Sequence, residues 1–212
     1  MKGFFESSKQ ALLLTLTLFV ICGLVYPFVV TGVAQAFFKY EANGSLIEVD
    51  GKVVGSELLG QSFTSPQYFS GRISAVNYNV YSQEDTIPDD NGDIAYGGVS
   101  SGTFNYAPSN PELITRIEGN IDTFLQDNPG VTREQIPADL MTASGSGLDP
   151  HISVNAAFIQ VERVAKASGL SVKEVEAIVK AHTDDRLFSI FGENTVNVLS
   201  ANIDIYKKMN VH

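Results

Sequence analysis

Hydrophobic and polar positions divide the chain into two parts. From Ala11 to Phe38 no side chain is charged, and only Thr15, Thr17, Thr31 and Gln35 are strongly polar. A helix needs about 20 apolar residues to cross a bilayer core, and this run has 28. Beyond it the pattern is that of a folded domain. Leu46-Ile47-Glu48-Val49, Asp50-Gly51 and Lys52-Val53-Val54 predict a β-hairpin, because Asp-Gly suits a type I′ turn. Leu58 to Phe69 predicts irregular chain with short extended pieces. Residues 73–110, rich in Gly, Ser, Asn and Asp, predict loops.

Ser109-Asn110-Pro111 predicts a helix start with proline in the first turn. Leu113, Ile114, Ile117, Ile121, Phe124 and Leu125 follow at helical spacing, and Asn128-Pro129-Gly130 ends the helix. Leu140-Met141-Thr142 predicts a short strand. Ser153 predicts the cap of a second helix with Phe158, Val161 and Ala165 inward, closed by Gly169. Ser171 and Glu174 form a capping box for a third, with Val175, Ile178 and Val179 inward. Val196, Leu199, Ile203 and Tyr206 point to a last helix, although their neighbours alternate as in a strand. The expected architecture is a single N-terminal transmembrane helix (11–38) after a short N-terminus (1–10). A mixed α/β (α+β) extracytoplasmic domain (39–212) of about four helices and a small sheet follows.

Charge bears on orientation. Lys2 and Lys9 precede the apolar run with Glu6 between them, and Lys39 closes it. Residues 40–212 hold 11 Lys+Arg against 23 Asp+Glu. Short flanks carrying Lys or Arg stay cytoplasmic, so the N-terminus is expected inside and the domain outside. Ala34-Gln35-Ala36 has the small-x-small form of a signal-peptide cleavage site. A signal h-region runs only about 7–15 residues, so an uncleaved anchor is expected. Pro27 meets the carbonyl of Gly23, four residues earlier. Gly32 and Ala36 form a small-xxx-small pair that would admit a partner helix; the alternative is an anchor facing only lipid.

The remaining composition excludes several chemistries. Cys22 is the single cysteine, so neither an intramolecular disulfide nor a Cys-based metal site can form. His151, His182 and His212 lie far apart in sequence, and there is no basic patch, so nucleic acid is not expected as a partner. The densest polar cluster runs from Thr142 to Ser153. Glycines ahead of a helix start suit a phosphate cradle, but the P-loop pattern is absent and the segment has no Lys or Arg. Ser144 or Ser146 with Asp149 and His151 supply the residue types of a hydrolytic triad, without the G-x-S-x-G elbow. A tight turn or partner contact is the favoured reading, and a membrane-anchored exported serine hydrolase is the alternative. Asp89-Asp90-Asn91-Gly92-Asp93 resembles half of a calcium loop, but Ile94 and Ser100 stand where glycine and glutamate are required. With Glu84 and Asp85 it reads as an acidic loop that would concentrate cations. His182 reads as structural at a helix end.

Several blocks together carry a family resemblance. They are Tyr26-Pro27, Thr31-Gly32, Asp50 through Ser56, Leu59-Gly60-Gln61, Tyr68-Phe69, Arg72, Ser74-Ala75, Tyr78-Asn79 and Pro108-Ser109-Asn110-Pro111. Pro137-Ala138-Asp139-Leu140, Thr142 through Ser153, His182-Thr183, Gly192-Glu193 and Val196 through Leu199 complete the set. Over nearly its whole length the chain resembles the small C subunit of the bacterial Kdp potassium-transporting P-type ATPase.

The resemblance implies an accessory, non-catalytic subunit in a bacterial or archaeal cell membrane. Its implied partners are a channel-like potassium-binding subunit, a P-type ATPase subunit and a small membrane peptide. ATP and Mg would act at the level of the complex, with K+ as the transported ion and no cofactor on this chain. The Asp-Lys-Thr-Gly phosphorylation motif is absent here, consistent with catalysis on a partner. The implied family-motif and partner-contact residues are Tyr26, Pro27, Gly32, Arg72, Asn79, Ser109, Asn110, Ser144, Gly145, Ser146, Gly147, Asp149 and His151. The family is also described as a catalytic chaperone that raises ATP affinity, which would place nucleotide contacts at Ser101, Gly102 and Asn105. The segment Tyr96 to Asn105 departs from the family's usual Ser-Gly-Gly-Ser-Asn run. Ile73 and Ala107 replace a usual proline and glycine, and 83–98 reads as an acidic insertion.

Overall fold

A computed structural model describes residues 2–210, which form two units, one through residue 46 and one from Ile47 onward. His212 lies outside the described residues. The first unit is helical. Helix α1 (Lys2–Val20), a π-helical turn (Ile21–Val25) and helix α2 (Tyr26–Phe37) follow one another, and the apolar stretch Gly3–Phe37 has the length and composition to cross a membrane. The π turn ends just before Pro27, which sits in the first turn of α2. Widening the helix by one residue per turn is a known way to absorb a proline ring and its missing N–H. Phe38 leaves helical geometry, and one turn, α3 (Lys39–Ala42), ends the unit.

The expected hairpin follows, β1 (Leu46–Val49) and β2 (Lys52–Ser56). Asp50 and Gly51 have φ of 52° and 74°, as a type I′ turn requires. Residues 57–110 contain no strand and only short 3-10 turns. Helix α4 (Pro111–Asp127) follows, capped by Asn110, whose side chain accepts from the Glu112 N–H at 2.9 Å. Of the apolar residues at helical spacing, Ile121 is buried and Ile114 is exposed.

The expected strand at Leu140-Met141-Thr142 is instead a helical turn, α5 (Ala138–Met141). Pro137 presents it in extended geometry, Thr142 Oγ1 bonds back to the Ala138 carbonyl at 2.8 Å, and Leu140 and Met141 are buried. Residues 151–153 form strand β3 (His151–Ser153), and Ser153 caps the helix that follows, as expected, its Oγ accepting from the Ala156 N–H at 3.1 Å. The helix expected from Ser153 to Gly169 divides into α6 (Val154–Phe158) and α7 (Val161–Ser168). The buried Gln160 sits at the break and sends its amide to the carbonyls of Ala156 and Ser70. Helix α8 (Val172–Ala181) carries the expected Ser171/Glu174 capping box.

Strand β4 (Thr183–Asp184), strand β5 (Thr195–Asn197) and helix α9 (Val198–Met209) complete the unit. The terminal region is therefore strand then helix, and Val196 belongs to the strand. Strands pair antiparallel in the order β3-β5-β4, with Ile152 opposite Val196 and Thr183 opposite Val196. The core lies where this sheet meets α6 to α9, around Ile152, Val164, Val175, Val179, Val196 and Ile205. The result, among the described residues, is a mixed α/β domain with two small sheets.

Candidate functional site

Four segments distant in sequence meet at the 142–153 block. Ser144 is buried, and its Oγ accepts from the Gly147 N–H at 2.9 Å. Ser146 Oγ accepts from the Leu148 N–H at 3.1 Å. The Ser146 carbonyl accepts from the Gly102 N–H at 2.8 Å and from Ser101 Oγ at 3.1 Å. Ser74 Oγ donates to the Gly147 carbonyl at 2.6 Å and accepts from the Tyr78 N–H at 2.8 Å. The Gly60 N–H donates to the Leu148 carbonyl at 2.8 Å. Gly147 has φ +70°, and a Cβ there would meet the Gly102 carbonyl oxygen at 2.8 Å. Both the backbone conformation and the space restrict this position to glycine.

Charges close the same knot. Arg72 Nη1 donates to Asp149 Oδ2 at 2.9 Å, while Asp149 Oδ1 accepts from the His151 N–H at 3.0 Å. The His151 ring places Nδ1 3.6 Å from Asp149 Oδ1 and Nε2 3.8 Å from Asp184 Oδ2. The His151 imidazole and backbone, with Arg72, hold the Asp149 carboxyl down to about 2 against the opposing effect of burial. Asp149 in turn raises His151, with Asp184 and Glu57 adding to the effect. Tyr78 donates its hydroxyl to the Arg72 carbonyl at 2.6 Å, and burial, then the Asp149 charge, push its pKa up to about 12.

These distances decide what the block can do. The hydroxyls of Ser144 and Ser146 accept from local backbone, and His151 is turned to Asp149 and Asp184. Hydrolysis needs a nucleophile hydrogen-bonded to its base, and these residues do not form that pair. The expected triad types are present without triad geometry. Among the described residues no group of three His, Cys, Asp or Glu could hold a metal ion. Gly145 and Ser146 stand exposed on the hydrogen-bonded loop beside a depression of about 380 Å³ that Leu58 and Leu59 also line.

The other expected residues distribute around this frame. Asn79 exchanges two hydrogen bonds of 3.0 Å with the backbone of Ser100, and so fixes the segment that carries Ser101 and Gly102. Asn105 has φ of 54°. Asn110 caps α4, and Ser109 is exposed beside it. Tyr26, Pro27 and Gly32 belong to α2 of the other unit. Sequence reasoning missed Asp139, which accepts from Ser153 N–H at 2.8 Å and from Ser153 Oγ at 3.0 Å. It also missed Asn197, which caps α9 through the Ser200 N–H and donates to the Glu57 carbonyl at 2.8 Å. The Asn-x-x-Ser spacing ahead of α9 was the available signal.

Residues 8–207 match the family model described as KdpC, K+-transporting ATPase, c chain. The chain belongs to the KdpC family. It is 56% identical over 202 residues to the potassium-transporting ATPase KdpC subunit of Clostridioides difficile strain 630, covering 95% of this chain and 97% of that one. It is 51% identical over 209 residues to the KdpC subunit of Clostridium kluyveri, covering 99% and 97%. A KdpC subunit of Caldanaerobacter subterraneus is 47% identical over 207 residues, covering 98% of each. As a KdpC-family chain it is a subunit of a potassium-transporting P-type ATPase, with one candidate N-terminal transmembrane helix among the described residues.

Proposed function

We propose that the chain is an accessory, non-catalytic subunit of an ATP-driven potassium import complex, and that it stabilises the assembly. One observation carries the reading. The polar groups of the 142–153 block bond to one another and to the flanking loops, leaving Gly145 and Ser146 as an exposed epitope on a hydrogen-bonded frame. Such an arrangement suits contact with a neighbour better than turnover. Arg72, Ser144, Gly147, Asp149 and His151 frame that epitope. Ser101 and Gly102 belong to the same frame, since both already donate to the Ser146 carbonyl. In this reading the ATP, Mg and phosphorylation chemistry reside on a P-type ATPase partner. A channel-like potassium-binding subunit and a small membrane peptide complete the complex. Tyr26, Pro27 and Gly32 would meet membrane helices of these partners.

The N-terminus is cytoplasmic in this reading and the acidic domain lies outside, near the potassium entrance, where its charge would raise the local cation concentration. Expressing residues 1–38 without 39–212, beside the partner subunits, should lower complex yield and potassium uptake; full yield and uptake would overturn the assembly role. Orientation is tested with a Cys22→Ser, Asp127→Cys chain in intact cells. An impermeant maleimide should label it from outside, and protection until lysis would place the domain inside.

A further inference from the structure

The connection between β4 and β5 carries the densest group of exposed large apolar side chains in the second unit. Leu187, Phe188, Ile190 and Phe191 are 64, 80, 71 and 64% exposed. They are held in a defined shape. Leu187 and Phe191 exchange both backbone hydrogen bonds, at 2.9 and 3.0 Å, and the Ser189 N–H donates to the Arg186 carbonyl at 2.9 Å. Phe188 and Ser189 both have positive φ, 54° and 60°, as in a type I′ turn. A phenylalanine in the left-handed region is uncommon, and here it stands at the tip of a hairpin with its ring in solvent. Asp185 accepts from Asn194 Nδ2 at 3.0 Å and ties the base of the hairpin.

Charge narrows what could cover this tip. Asp184, Asp185 and Glu193 flank it against the single cation Arg186, and residues 40–212 are strongly acidic as a whole. An anionic bilayer surface would repel such a rim. A second copy would bring two acidic rims together. The remaining complement is a protein surface with an apolar pocket and a basic border. Clustered aromatic anchors surrounded by a charged rim are the usual make-up of an interface hot spot.

We propose that the Leu187–Phe191 tip is a docking anchor that seats in an apolar, basic-rimmed pocket on another subunit of the complex; this rests on the assembly reading above. The tip is already hydrogen-bonded into a turn, which lowers the ordering that opposes binding.

The test uses the full chain, tagged and co-expressed with the partner subunits of the ATPase. Phe188→Asn with Ile190→Ser removes the anchors, and asparagine tolerates positive φ. The double variant should lower co-purified ATPase subunits at least about tenfold, with the thermal unfolding midpoint of the chain unchanged. Undiminished co-purification of the variant overturns the anchor and leaves the assembly reading standing. Failure of the unsubstituted chain to co-purify overturns both. A Cys22→Ser, Ser189→Cys chain bearing an environment-sensitive dye separates the occupants. A blue shift only on adding partner subunits supports the proposal. A shift in phosphatidylcholine nanodiscs alone would assign the tip to lipid, and a concentration-dependent shift of the chain alone in detergent would assign it to a second copy. Either result overturns it.

Discussion

Gly60 lies so close to Asp149 that a Cβ on it would stand 2.6 Å from the Asp149 carbonyl oxygen, and equally close to the Tyr78 ring. The same backbone donates its N–H to Leu148, so neither partner can withdraw without losing that bond. Gly60→Ala should therefore destabilise the domain by about 1–3 kcal/mol, the usual cost of overpacking. Gly145→Ala is the control, because a Cβ there meets nothing within 4 Å; its effect should stay within about 0.5 kcal/mol. Thermal unfolding of the two variants side by side checks this, and equal midpoints would refute it.

The Asp149–His151 pair makes stability depend on pH in two directions. Asp149 titrates at about 2 in the fold and near 4 in unfolded chain. Its contribution is full above about 4 and is lost as pH falls from there toward 2. His151 is raised above its unfolded value of about 6.5. Its contribution is full below about 6.5 and is lost as pH rises through the folded value. Asp149→Asn removes the largest cause of the His151 shift together with its own. The difference in unfolding midpoint between the two proteins should be largest between about pH 4 and 6.5 and shrink on both sides. A difference that is constant from pH 2 to 9 would show that the pair is not linked to folding.

Capping discriminates two neighbours in the Ser-Asn-Pro run. Asn110 accepts from the Glu112 N–H, whereas Ser109 is exposed one position earlier. Asn110→Ala should cost about 1 kcal/mol, as loss of an N-cap does. Ser109→Ala should leave stability within about 0.5 kcal/mol. Denaturant midpoints measured at constant slope would decide, and a larger loss for Ser109 would contradict the cap assignment.

What the sequence could disclose follows from the range of the interaction. The capping box at Ser171, the Asp50-Gly51 turn and the apolar span depend on near neighbours, and each was readable. The 142–153 block was readable as a polar cluster, but not its closure. Arg72 reaches Asp149 across 77 residues, and Ser74 reaches Gly147 across 73. No local pattern encodes such pairs. The expected strand at Leu140 failed for a related reason, since three apolar or β-tolerant residues fit a buried helical turn as well as a strand. The break in the helix after Phe158 was hidden because Gln160 reads as an ordinary helical residue until Ser70 is brought beside it.

That pairing of Gln160 with Ser70 has a counterpart in Asn202 and Phe69, and together they account for residues 64–72 being ordered without a strand. Asn202 Oδ1 accepts from the Phe69 N–H at 2.7 Å, and its Nδ2 donates to the Phe69 carbonyl at 2.9 Å. Gln160 does the same for Ser70, at 2.8 and 3.2 Å. Two amide side chains thus satisfy the backbone that a neighbouring strand would otherwise pair, and Phe69 can stay buried. Arg163 braces Gln160 by donating to its Oε1 at 2.6 Å and to the carbonyls of Pro66 and Tyr68. Removing one amide leaves a buried N–H and C=O unpaired, at about 1–3 kcal/mol for each group. Asn202→Leu should therefore destabilise the domain by roughly 2–6 kcal/mol and expose the Tyr68-Phe69 bond to limited chymotrypsin cleavage. Asn202→Asp keeps the acceptor and, when protonated, offers one O–H in place of the amide donor, so near pH 4 it should fall between wild type and Asn202→Leu. An Asn202→Leu chain as stable and as protease-resistant as wild type would mean that the segment is ordered by packing of Phe69 alone.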